Sequence, residues 1–137
     1  MIPHDEAVDL PLDTPRAVEH RIRETVGRAI RRQTWLLLLD EELRQLPIMI
    51  PIEDLPPSPE TDTPDGLRGM FTMIADEFAV RGVIVVLERP GEGVMHADER
   101  AWLRAFATAL GDAGLENSGF VLSHTRGARW LPMDEWM

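Results

Sequence analysis

The chain has 137 residues, enough for one domain with a sizeable core and too few for two comfortable ones. It has no cysteine, which excludes disulfides and thiolate metal sites, and no basic leader or long apolar run, so a cytoplasmic protein that does not enter membranes is expected. Fourteen arginines, with no lysine, stand against 24 carboxylates; the resulting charge of −10 repels polyanions and argues against generic nucleic-acid binding.

Residues 1–13 are acidic and aperiodic, and read as a mobile arm or an edge-binding tail. At Thr14-Pro15 a helix starts, with Thr14 as N-cap and Pro15 at the first helical position, where its missing N–H costs nothing. Val18, Ile22, Thr25, Val26, Ala29 and Ile30 form its apolar stripe. Arg16, Arg21, Arg23, Arg28, Arg31 and Arg32 lie mainly on the remaining faces and read first as a solvated polar surface with Glu19 and Glu24 as local partners, although this segment is the one candidate for a basic docking surface.

TWLLLLDEELRQLPIMIPI reads as a hairpin, with strands near 34–39 and 45–50; the first is apolar throughout and belongs in the middle of a sheet. A Pro-rich acidic loop follows over 53–66. From Asp65 to about Arg81, the spacing of Leu67, Met70, Phe71, Ile74 and Phe78 predicts an amphipathic helix that Gly82 stops. VIVVL, residues 83–87, is then a buried strand. ERPGEG forms a turn, and a helix follows over about 97–113 with Trp102, Leu103, Phe106 and Leu110 inward. His96 and Glu99 stand at capping-box spacing at its start. Two short strands close the chain, 120–123 and 128–131, joined across HTRG; Trp130, Trp136, Met133 and Met137 near the end are assigned to packing against the body of the domain. The fold class expected is α/β: a single domain over 14–137, three-layer-like, with a mixed β-sheet and about three amphipathic helices.

The stretch 34–131 resembles the RadC-like branch of the JAB/MPN domains. The resemblance lies in the order and spacing of WLLLLDEELRQLP, GVIVVLERPGEG, ATALGDAGLENSG and FVLSHTRGARWL. It implies a cytidine-deaminase-like topology. It also implies a zinc hydrolase site at the strand-end turn, where two His and an Asp about ten positions after a Pro would hold the metal. With Pro90 laid on the family Pro, Leu87 and Arg89 stand where the two His belong. The Asp position falls on Arg100, and a slide by two reaches Asp98. A guanidinium at a ligand position puts positive charge where the metal would sit. No metal and no cofactor are therefore expected.

The resemblance thus implies a non-catalytic accessory or scaffold protein that binds a protein partner at the turn. Glu88, Arg89 and Arg100 would serve as polar contacts, with Glu92, His96, Asp98 and His124 nearby. The blander alternative is that these charges form surface pairs worth about 0 to 1 kcal/mol each. Two rival readings are a hydrolase with an unusual metal site built from Glu88, His96, Asp98 and His124, and a nucleic-acid-linked accessory that uses the Arg-rich first helix. A homo-oligomer is compatible with any of the three. RPGEG lacks the GxxxxGK[ST] pattern of a phosphate loop, and Ser123-His124 lacks the G-x-S-x-G elbow of a serine hydrolase.

Overall fold

A computed structural model of the chain describes residues 11–27, 29–53 and 55–137. Its centre is β1 (Gln33–Leu39), whose Leu36 to Leu39 are fully shielded from solvent. It pairs antiparallel with β2 (Gln45–Ile52) on one side and with β3 (Gly82–Glu88) on the other. Beyond β3 come β4 (Glu116–His124), which is parallel to it, and β5 (Gly127–Trp130), which is antiparallel to β4. The sheet order is β2-β1-β3-β4-β5, so the most continuous apolar strands are the inner ones, as burial on both faces requires.

Side chains alternate along these strands and divide the core into two layers. On one face Leu36, Leu38, Val83, Val85, Leu87, Phe120 and Leu122 meet α2 (Thr63–Glu77) and α3 (Ala97–Asp112). There Phe71, Phe106 and Trp102 pack ring against ring. On the other face Leu37, Leu39, Ile84, Val86 and Val121 meet Val18 and Ile22 of α1 (Pro15–Thr25). A short α4 (Met133–Trp136) sets Trp136 edge-on against Phe120, with centroids 4.9 Å apart, while Met133 and Met137 remain exposed. Among the described residues, no helix is long and apolar enough to cross a membrane.

Several boundaries depart from the sequence reading. The first helix keeps its Thr14 cap, with Thr14 Oγ1 accepting from the Ala17 N–H at 3.1 Å, but it ends at Thr25 and not near Ile30. Gly27 takes a left-handed φ of +74°, and the Val26 and Gly27 N–H groups both turn back to the Ile22 carbonyl, which terminates the helix. Ile30 accordingly leaves the apolar stripe and is 77% exposed. The second helix starts at Thr63 and stops at Glu77, because Phe78 is already extended; Phe78 is therefore partly exposed and not core. Gly82 does not end this helix but opens β3, where a Cβ would lie 2.1 Å from Ser118 Oγ.

The arm reading falls largely on residues 1–10, outside those described. Its last residues are docked: Leu12 is buried, and its N–H donates to the Leu43 carbonyl at 2.7 Å. The Pro-rich loop is also anchored, since the Trp102 indole N–H donates to the Pro56 carbonyl at 3.0 Å.

Candidate functional site

Strand β3 ends at Glu88, and alternation sends its last side chains to opposite faces. Leu87 points toward α2 and α3 and is buried; Glu88 points toward α1 and is only 4% exposed. Glu88 Oε1 accepts the Trp35 indole N–H at 2.9 Å, and Oε2 accepts the Ile30 backbone N–H at 3.2 Å. This carboxylate therefore fixes the loop between α1 and β1. Its neighbours across the sheet, Gln33 and Ser123, are buried too.

Arg89 returns to the α3 face. Its Nε donates to Glu99 Oε2 at 2.5 Å and its Nη2 to Oε1 at 3.0 Å, a two-point pairing in which the planar fork matches the carboxylate. The same guanidinium donates to the carbonyls of Glu92 and Val94, each at 2.6 Å. From β5, Arg129 donates through Nε and Nη2 to the carbonyl between them, that of Gly93, and its Nη1 pairs with Glu135. Three successive carbonyls of the turn are thus held by two arginines. Glu99 also accepts the His96 backbone N–H at 2.9 Å, so one carboxylate caps α3 and neutralises Arg89. Burial pushes the Glu99 carboxyl up. The Arg89 hydrogen bonds, the His96 N–H and the nearby positive charge outweigh that and hold it below the usual carboxylate range.

Above this pair lies a cleft of about 260 Å³, with Thr34, Gln33 and Arg32 at one wall and Ile52, Leu55, Leu87 and Trp102 at the others. It sits at the carboxyl end of β3, the side of a sheet where α/β proteins usually bind ligands. Both carboxylates in its lining, Glu88 and Glu99, are engaged in hydrogen bonds. A general base needs a free group with a pKa near the working pH, whereas Glu99 is paired and held low.

The structure scatters the other anticipated site residues. Glu92, His96, Asp98 and Arg100 are exposed, and Arg100 donates through Nε to the Glu135 carbonyl, away from the cleft. Arg89, expected as a polar contact for a partner, is held internally by Glu99. His124 ends β4 on the outer side of the turn, where its ring fills the space beside Gly93. Glu88, His96, Asp98 and His124 do not converge: among the described residues no three His, Cys, Asp or Glu side chains are placed to hold a metal ion. Arg28 lies outside the described residues, and the described arginines around the first helix form no single helical face. Arg21 is buried and donates to Gln45 Oε1 at 2.6 Å, and Arg31 and Arg32 lie beyond the helix end.

Sequence reasoning missed Glu99 as the partner of Arg89. Its position at the third residue of α3, one short of Arg100, was the available signal. Arg129 was missed as well, and nothing in its local sequence marks it. No protein-family model and no curated protein matches the chain.

Proposed function

We propose that this chain is a non-catalytic, JAB/MPN-like accessory or scaffold domain of the cytoplasm that docks a protein partner at the strand-end cleft. The chain order helix, strand, strand, helix, strand, helix, strand, strand and the sheet order β2-β1-β3-β4-β5 support a cytidine-deaminase-like topology. The observation that carries the reading is the Arg89–Glu99 pair. By the resemblance Arg89 stands at one imidazole position, while the carboxylate position falls on Arg100 and not on Glu99; the pair fixes an internal cation where a metal ligand would belong. Leu87, at the second imidazole position, is apolar and buried.

The cleft offers a partner a mixed well, apolar at Trp102, Leu87, Ile52 and Leu55 and polar at Arg32, Gln33 and Thr34, of a size suited to a single inserted side chain. A hydrolase would need free acids aimed at one point, whereas Glu88 and Glu99 are committed to separate hydrogen bonds on opposite faces of β3.

The test is metal analysis and peptide and isopeptide hydrolysis assays on protein purified without chelator and then supplied with zinc. Neither stoichiometric metal nor turnover is expected. One zinc per chain with zinc-dependent cleavage would overturn the reading.

A further inference from the structure

The turn over residues 89–96 is held on its inner side by Arg89 and on its outer side by the β4–β5 hairpin. The outer contacts are few and specific. Thr125 Oγ1 accepts the Gly91 N–H at 2.8 Å, and the Thr125 N–H donates to the Gly91 carbonyl at 3.2 Å. Arg129 holds the Gly93 carbonyl. At the centre of this contact is the His124 imidazole. A Cβ built on Gly93 would lie 3.1 Å from its Nε2, so the ring lies beside the glycine, closer than a larger side chain would allow. Its Nδ1 accepts the Arg126 backbone N–H at 3.3 Å, which requires that nitrogen to be unprotonated.

We propose that His124 is an acid-sensitive latch: protonation releases the 89–96 turn from the β4–β5 hairpin. A proton on Nδ1 removes the acceptor for Arg126 and turns it into a donor facing a donor. It also adds a positive charge where positive charge already gathers. Arg126 faces the ring from its own turn, Arg129 from β5 and Arg89 from the end of β3. Glu92 lines the same hollow and is the nearby exposed carboxylate, while Glu99 and Glu135 are already paired with Arg89 and Arg129.

The direction of the His124 pKa agrees. Burial lowers it from the ordinary imidazole value, and Arg129, Arg89 and Arg126 lower it further. The closed turn therefore prefers neutral His124, and opening restores an ordinary imidazole. Stability of the closed form is complete above the open-state value of about 6.5 and falls as pH drops below it, by about tenfold in the opening equilibrium for each unit separating the two pKa values.

The test is amide hydrogen exchange of the full chain between pH 7.5 and pH 5, expressed as protection factors, with the His124 ring shifts followed by NMR over the same range. The Gly91, Thr125 and Arg126 amides are expected to lose protection several-fold relative to Val85 in the core, with the midpoint of the His124 titration. His124→Gln should abolish the step, and Glu92→Gln should preserve it. Unchanged protection in the wild type, a midpoint separate from that of the ring, or a step that survives in His124→Gln would overturn the latch. These readouts do not depend on the partner-docking reading.

Discussion

Arg89 and Glu99, ten residues apart, meet through two hydrogen bonds with both side chains about nine-tenths shielded, at 11% and 9% exposure. One residue follows the end of β3, the other lies in the first turn of α3, and the glycine turn between them brings strand end and helix start together. Removing one partner strands the other, whereas replacing both with apolar side chains leaves no orphaned charge. Arg89→Ala is expected to cost about 3 kcal/mol, the lower range for breaking a buried pair, and Arg89→Leu with Glu99→Leu clearly less. Urea unfolding of the three proteins checks the order; a single variant as stable as the double would show that the pair contributes nothing.

The depressed Glu99 pKa fixes the sign of a pH dependence. A carboxyl held lower in the folded chain than in the unfolded one stabilises fully above the unfolded value, about 4.3, and the contribution disappears as pH falls through the folded value. The stability difference between wild type and Glu99→Gln should therefore be constant near neutrality and shrink below about pH 4. A difference that grew in acid would contradict the assigned direction.

Periodicity made the layout of this chain legible where one force dominated. VIVVL and WLLLL had few alternatives to central strands, and Leu67, Phe71 and Ile74 lie inward as their spacing required. What escaped was set by contacts distant in sequence or by single backbone angles. The end of the first helix rests on the left-handed Gly27, and the exposure of Phe78 on an early extended residue. Arg89, anticipated as a polar contact for a partner, is instead turned inward to Glu99, a pairing that its local sequence does not announce. The difference between Asp98, Glu99 and Arg100 is one helical step of about 100°, which a strand-end alignment does not resolve.

Two glycines should respond in opposite directions to alanine. Gly119 has φ +140°, and a Cβ there would lie 2.2 Å from the Trp130 ring, so Gly119→Ala must displace the indole and is expected to destabilise by more than about 2 kcal/mol. Gly69 is exposed inside α2 with no heavy atom within 4 Å of the same position, so Gly69→Ala should stabilise by about 0.5–1 kcal/mol. Thermal melts of both variants decide the matter; equal shifts would mean that Gly119 is not pressed against Trp130.

Glu88 supports the loop before β1 through two N–H groups. Glu88→Ala leaves the Trp35 indole and the Ile30 amide without their acceptor and is expected to cost about 2 kcal/mol, while Glu88→Gln retains an acceptor and costs less. Exchange at the Ile30 amide should accelerate in Glu88→Ala and stay close to wild type in Glu88→Gln. Equal exchange in all three proteins would remove Glu88 from this role.

On the proposed reading Arg89, paired with Glu99, occupies one of the positions at which the resembled hydrolases hold zinc. Zinc stoichiometry of a Leu87→His, Arg89→His double variant tests it most directly, with circular dichroism to confirm the fold. Both substitutions lie on the α3 face of β3, and loss of Arg89 frees the Glu99 carboxylate as a third ligand, so no change at Arg100 is needed. The account predicts one zinc per folded chain in the double variant, lost when Glu99→Gln is added, and none in the wild type. A folded double variant that binds no zinc, or a wild type that binds one per chain, would contradict it.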